Sequence, residues 1–313
     1  MEGTEIEMTD LKFKPVEAED MKVLAPYFGL RPNKTCDSVP LDSFIWRKYY
    51  HVRYAIHENK ALLWLMKEDG VMHSAMPLCK EEDLKKYFDM TVEYFNQVLH
   101  IPFKIYLADE EAVEFLHLKE SEDFVVTEQE DLKDYLYDGE AMRKLSGKKL
   151  HKKKNHLNAF LKEYEGRYEF RRLCCSDRDD VWQFLDRWRE RKGDEVEEHL
   201  DYEVEGIHEI LKQCLDLDIR MSGVYIDGKL EAFTIGSYNQ AEDMAVIHIE
   251  KANPEIRGLY QFINQQFLVQ EFPDVTLVNR EDDLGQEGLR HAKMSYNPCG
   301  FARKYLVQQK KFK

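Results

Sequence analysis

The segment from Met244 to Val307 constrains the fold more than any other stretch, because its apolar residues change period several times between clear breakers. Met244 to Glu250 alternates small apolar residues with His248 and Glu250. It runs out at Asn253-Pro254, where a ladder cannot continue because proline lacks the N–H donor. Beyond Arg257 and Gly258, residues Leu259, Phe262, Ile263, Phe267 and Leu268 recur at helical spacing with no breaker before Pro273, which predicts an amphipathic helix. Val275 to Asn279 reads as a short strand. A second helix is expected from about Gln286 to Ser295, stopped by Asn297-Pro298, and a last strand from Phe301 to Val307.

This order of strand, turn, helix, strand, helix, strand resembles the second half of a GCN5-related N-acetyltransferase (GNAT) fold, with Tyr296 ending the helix and Gly300-Phe301 before the last strand. More narrowly, NREDDLGQEGLRHAK from Asn279 and LSGKKLHKKKNHLNAF from Leu145 resemble the C-terminal domain of the phosphatidylglycerol lysyltransferases and its stand-alone relatives. That group is a tandem relative of the Fem aminoacyl transferases. The resemblance implies an α/β chain of mixed sheets arranged as two tandem GNAT-like domains. It implies acyl transfer to an amine or hydroxyl on a small-molecule, lipid or peptide acceptor. No cofactor is expected to be tightly bound, and the donor is either aminoacyl-tRNA or acetyl-coenzyme A.

The first half repeats the element order. Leu11 to Val16 alternates as a strand, and Ala18 to Phe28 has helical spacing. Tyr50 to Leu78 holds three alternating runs broken at Asn59-Lys60 and Asp69-Gly70, and Asp-Gly is a strong hairpin signal. Glu81 to Leu99 and Glu110 to Leu118 read as helices, Phe103 to Leu107 and Phe124 to Thr127 as strands. Residues 1–137 are therefore expected to form one copy and residues 138–313 the other. The first copy enters its helix from Met76-Pro77-Leu78-Cys79 with no glycine turn to free amides for a phosphate, so it is expected to be non-catalytic. In the second copy, Arg167 to Leu173 is a strand. Two helices, Asp177 to Lys192 and Tyr202 to Leu215, flank an acidic loop at Gly193 to His199, and Asp227-Gly228 makes a hairpin.

With 60 acidic against 45 basic residues the net charge is −15, which argues against a general nucleic-acid binder while leaving room for one local basic site. No run of about 18 uncharged apolar residues occurs and the N-terminus is acidic, so a soluble cytoplasmic protein without a transmembrane segment is expected. Met1 to Thr9 is expected to be loose. The six cysteines form no CxxC pair and have no histidine at ligand spacing; they are expected to be buried free thiols, with no metal site. The local basic site is the stretch from Ala141 to Lys162, which contains lysines and two histidines but no acid. Leu150, Leu157, Leu161 and Tyr164 share one face, so a basic amphipathic helix through 143–154 is expected to join the halves. The block itself contains no i,i+4 acidic partners, so its charges are not neutralised from within. A solvated face balancing distant acids is one reading. A tRNA- or phosphate-binding surface of Lys148, Lys149, Lys152 and Lys153 is the other, and the Fem resemblance favours it; the alternative to a transferase is a non-catalytic protein that has lost the cofactor cradle and binds RNA or another polyanion through this helix.

For chemistry, the resemblance places a pyrophosphate-holding turn at Arg257, Gly258, Leu259 and Tyr260. Glu255 and Tyr260 depart from the acetyltransferase pattern, since a carboxylate repels a pyrophosphate and a ring blocks close backbone approach. Glu250, at the end of its strand, is the candidate base, with surface pairing to Lys251 or Arg257 as the alternative. Tyr296 is the candidate proton donor to the leaving group, or else a core tyrosine under Phe301. His248, Asn279, Arg280, Glu281, Asp282, Asp283, Arg290 and Lys293 form the candidate substrate pocket, whose acids suit a cationic group. Acids favourably placed at a helix N-terminus would look the same.

Overall fold

Turn chemistry sets the hairpins: Asp69-Gly70 and Asp227-Gly228 take positive φ at both positions (48° and 81°, 50° and 80°), as a type I′ turn requires. The computed structural model describes residues 11–192 and 198–312. The first half runs β1 (Lys14–Pro15), α1 (Met21–Phe28), α2 (Pro40–Ile45), β2 (Arg53–His57), β3 (Ala61–Glu68), β4 (Val71–His73), α3 (Leu84–Glu93), β5 (Lys104–Asp109), α4 (Glu110–Phe115), β6 (Phe124–Glu128) and β7 (Asp134–Asp138). Then follow α5 (Gly139–Lys144), α6 (His151–Glu163), β8 (Tyr168–Arg172), α7 (Arg178–Lys192), α8 (Glu198–Gln213), β9 (Arg220–Ile226), β10 (Lys229–Asn239) and β11 (Met244–Ala252). The chain ends with α9 (Leu259–Glu271), β12 (Leu277–Asn279), α10 (Glu287–Met294), β13 (Gly300–Ala302) and β14 (Lys304–Gln309).

The second half forms one seven-stranded sheet, β8-β9-β10-β11-β12-β7-β13, in which β11 and β12 are parallel. In the first half, β1-β2-β3-β4 and β5-β14-β6 are joined by a bridge between Ser74 and Ile105. The two halves therefore share one strand order, and each takes a strand from the other. β7, at the end of the first half, lies between β12 and β13, while β14, at the end of the chain, lies between β5 and β6. The mixed α/β, GNAT-like architecture expected from the residues is the one observed.

Several details differ from the expectations. The last strand is two strands: the chain breaks at Arg303, and β13 and β14 enter different sheets. The reason lies in Lys304, which is fully buried with its ammonium 2.8 Å from Asp134, the first residue of β7, so one ion pair pins both exchanged strands. β7 has no local signal of its own, and the expected boundary between residues 137 and 138 falls inside it. The basic segment is not one helix through 143–154. α5 stops at Lys144 because Leu145 turns left-handed (φ 44°) ahead of Gly147 (φ 90°), and α6 restarts at His151. Of the cysteines, Cys175 and Cys214 are joined in a disulfide, and Cys174 and Cys299 are exposed; only Cys36 and Cys79 are buried free thiols. The correction has a topological cause, since the disulfide joins the start of α7 to the end of α8 across 39 residues of sequence. The expected loose residues 1–9 and most of the acidic loop, residues 193–197, lie outside the described residues, and Glu198 and His199 already belong to α8. Among the described residues no helix is long and apolar enough to cross a membrane.

Candidate functional site

β11 and β12 pair only through Met244 to Val246 against Leu277 to Asn279, and then part. Opposite, β10 and β11 are in register at Ile235–Ile249 and again at Gly236–Ile247, so His248 is an unpaired bulge residue. A bulge re-aims a side chain and bends its strand. Here it stands at the mouth of a cavity of about 1080 Å³ that draws its walls from both halves. Another depression, about 740 Å³ beside Cys174 and Cys214, is less suited to a ligand, because Arg172 and Arg220 there are already bound to the side chain and the carbonyl of Glu271.

One end of the large cavity is acidic. Asp37, Asp42, Glu281 and Asp282 line it, and Lys304 lies among them, 3.6 Å from Asp37 and 3.8 Å from Asp282. Burial works against the Lys304 charge, yet Asp134, Cys36 and the carboxylates around it hold its pKa well above the usual lysine value. Burial pushes the carboxyls of Asp42, Glu281 and Asp282 up, reinforced by their neighbouring acids. Ligand atoms of Cys36, Asp42 and Glu281 lie within 4.8 Å of one another, but the Lys304 ammonium is 3.1 Å from the Cys36 sulfur and already supplies a cation there. His248 sits between Ser237 (Nε2 to Oγ, 2.7 Å) and Glu281 (Nδ1 to Oε1, 2.9 Å), and burial lowers its pKa to about 3, so the ring is neutral.

The other end is aromatic and basic. Tyr296 is buried, its hydroxyl pushed up to about 12 by burial, and its ring edge meets Tyr137 rather than Phe301. Two cations face that ring: Lys153 Nζ at 4.2 Å from its centroid and the Arg280 guanidinium at 4.8 Å. Glu250 lines the same wall with both oxygens engaged, one by Arg280 at 2.9 Å and the other by Asn264 at 2.7 Å. Its partner is thus neither Lys251 nor Arg257, and with Arg280 held it positions a cation more directly than it offers a lone pair.

The other candidate residues divide cleanly. Lys293 lines the cavity, its Nζ held by the carbonyls of Arg280 and Asp282. Asn279 is fully buried and braces the strand end by donating to the carbonyl of Lys34 and to Asp134. Asp283 and Arg290 form a two-pronged pair behind the wall, with Tyr135 also donating to Asp283, whose pKa falls to about 2 through that arginine. Lys148, Lys149 and Lys152 are exposed, and only Lys153 of that group reaches the cavity. Arg257 is exposed, whereas Leu259 is core. Tyr260 lines the cavity. Gly258 (φ 83°) does approach another backbone closely, but it is that of α6: a Cβ there would lie 2.1 Å from the His156 carbonyl oxygen. Asp37, Asp42, Trp188 and Lys304 were missed. They arrive from distant elements, and nothing in their local spacing sets them apart from ordinary surface or core residues.

The family model described as "Phosphatidylglycerol lysyltransferase, C-terminal" matches residues 37–308. A conserved protein of unknown function from Bacteroides thetaiotaomicron superposes with a TM-score of 0.87 over 96% of this chain and 100% of that one, at 26% identity. L-PGS from Bacillus licheniformis shares the fold, with a TM-score of 0.67 over 95% and 94% of the two chains at 14% identity. The uncharacterized protein MYCGA3080 of Mycoplasmoides gallisepticum is 26% identical over 234 residues, covering 74% of this chain and 73% of its own length. With the family match running from the loop before α2 into the exchanged final strand, the chain belongs to the phosphatidylglycerol lysyltransferase C-terminal family.

Proposed function

We propose that this protein is an acyltransferase that moves an aminoacyl group from aminoacyl-tRNA to an amine or hydroxyl acceptor. The observation that carries the reading is the two-ended cavity at the junction of the halves. Its acidic end sets four acids, Asp37, Asp42, Glu281 and Asp282, against the ammoniums of Lys304 and of Lys293, the latter held by two backbone carbonyls, and so suits a cationic amino-acid group. Gly258 supports this donor over acetyl-coenzyme A, because α6 packs against it so closely that a Cβ would lie 2.1 Å from the His156 carbonyl oxygen, and the Leu259 amide is already bonded to the Ile256 carbonyl, whereas a pyrophosphate turn needs open approach and free amides. Family membership supports the same class of reaction.

In this reading the acceptor's nitrogen or oxygen attacks the ester carbonyl, a new C–N or C–O bond forms, and the ribose oxygen leaves. Asp282 takes the nucleophile's proton. It lines the cavity, its Oδ1 accepts from the Leu284 amide at 3.1 Å while its Oδ2 lies 3.8 Å from the Lys304 ammonium with no hydrogen bond to it, and burial makes it a stronger base than an exposed carboxylate. Tyr296 returns a proton to the leaving oxygen, and Glu250 keeps Arg280 beside it. The test is transfer from tRNA charged with radiolabelled amino acids, run beside labelled acetyl-coenzyme A, with amine and lipid acceptors. Acid-stable label from charged tRNA is expected, and Asp282→Asn should lower its rate by about 100-fold. Label moving from acetyl-coenzyme A alone would overturn the donor assignment.

A further inference from the structure

We infer that the open edge of β8 is a self-association surface, on which a second copy of this chain adds its own β8 antiparallel about a two-fold axis at Phe170. The inference is independent of the proposed acyl transfer, because β8 is the outermost strand of the seven-stranded sheet and is separated by β9 and β10 from β11, where the cavity opens. Its ground is a row of backbone groups. β8 pairs only with β9, in a register that sets Tyr168 opposite Ile226 and Arg172 opposite Ser222. The Asp227 amide donates to the Arg167 carbonyl and the Leu173 amide to the Met221 carbonyl, so the bonds of this antiparallel ladder fall at Arg167, Glu169, Arg171 and Leu173. The N–H and C=O groups of Tyr168, Phe170 and Arg172 point the other way, and among the described residues no hydrogen bond reaches them.

The side chains leave that row uncovered. Tyr168 and Phe170 lie on the α9 side, with ring centroids 4.9 and 6.3 Å from that of Phe262, and Arg172 is bound there to Glu271. On the other side Arg171 lies over the Tyr225 ring at 4.3 Å and beside Asp177 at 2.9 Å, while Glu169 is exposed and makes no hydrogen bond or salt bridge among the described residues. An open strand edge is a template for another strand, and the charges along it decide which one fits. With the axis at Phe170, the bonded pairs are Phe170 with its own copy and Tyr168 with Arg172 of the second copy, which are the residues whose backbone groups point outward. Glu169 then falls opposite Arg171 of the second copy in both non-bonded pairs, where side chains come closest. Two-fold symmetry makes every such contact occur twice. Moving the axis to Glu169 or to Arg171 would set like charges opposite each other, so the charges also fix the register. The outer strand β6 lacks this property, because Asp123 and Glu128 flank its apolar centre with no base between them.

Sedimentation equilibrium of the full chain from micromolar to millimolar concentration should show reversible exchange between monomer and dimer, since a single strand pair is a small interface. Glu169→Lys puts like charges at both non-bonded pairs and is expected to raise the dissociation constant about 30-fold. Arg171→Glu should act likewise, and an equimolar mixture of the two variants should dimerise as the parent does, because each pair then joins opposite charges again. Arg171→Glu also brings a further acid beside Asp177, so amide hydrogen exchange on the unaltered chain supplies a readout that needs no variant. The amides of Tyr168, Phe170 and Arg172 should gain protection as concentration rises, while those of Glu169 and Arg171, already bonded to β9, should not change. A chain that stays monomeric at millimolar concentration, a dimer indifferent to Glu169→Lys, or concentration-dependent protection confined to other residues would overturn the inference. So would a mixture that fails to recover although both variants melt as the parent does. An unrelated extended peptide that protects these amides on a monomeric chain would give the edge to a different partner and overturn self-pairing.

Discussion

Replacing Gly258 by alanine separates two roles that a glycine at a helix start can have. If the residue existed to let a bound pyrophosphate approach the amides, alanine would harm ligand binding and leave the empty protein nearly intact. In the structure the close neighbour is the protein itself. The added Cβ would stand 2.1 Å from the His156 oxygen and 3.0 Å from the Phe160 Cβ. The φ of 83° costs a non-glycine residue about 1 kcal/mol. The contact with a backbone carbonyl cannot be relieved by a rotamer change, so α6 must shift and disturb the Phe160–Phe262 contact, whose centroids are 4.6 Å apart. Overpacking of this kind adds about 2–3 kcal/mol. The sum of about 3–4 kcal/mol corresponds to roughly 6–8 °C in Tm for a chain of this length. Gly228→Ala is the control, because it has φ 80° and nothing within 4 Å of the added atom, and should lose only about 2 °C. Differential scanning calorimetry on both variants decides the matter. Equal melting temperatures would refute the claim that α6 packs closely against Gly258.

Two further outcomes follow from the buried charges. Lys304→Met leaves Asp134 buried without its ammonium and should cost about 3–5 kcal/mol in urea denaturation. The double variant with Asp134→Asn should recover part of that loss, and strictly additive losses would refute the pairing. For His248, burial places the folded pKa at about 3 against about 6.5 in an unfolded chain. The unfolded state therefore binds the proton over this interval, so the neutral ring contributes stability that is whole above about pH 6.5 and is lost as pH falls through about 3. An NMR titration of the His248 ring should show no inflection above about pH 4.5, and a midpoint near 6.5 would contradict its burial between Ser237 and Glu281.

Much of the scaffold was legible because the signals are local. The Asp-Gly hairpins, the apolar stripe from Leu259 to Leu268 and the breaker at Asn253-Pro254 each act over a few residues. The candidate site was legible in part. Glu250, Tyr296, Arg280, Glu281, Asp282 and Lys293 do meet in one cavity with Lys153, whereas Asp283 and Arg290 neutralise each other behind it. Neighbours in sequence were separated by the turn through Glu281 and Leu284, both at positive φ, which sends adjacent side chains to opposite sides. No spacing rule forecasts that division.

From the residues alone came the α/β pattern, the repeated order of elements and the isolated basic segment, since each depends on periodicity and composition within a window of the chain. Only the tertiary structure decided the exchange of β7 and β14, the Cys175–Cys214 bond, the ammonium of Lys304 among the carboxylates of Asp37, Asp134 and Asp282, and the packing of α6 against Gly258. These depend on which distant segments are brought within a few ångströms. That is settled by the joint packing of two sheets, and no single stretch of sequence encodes it.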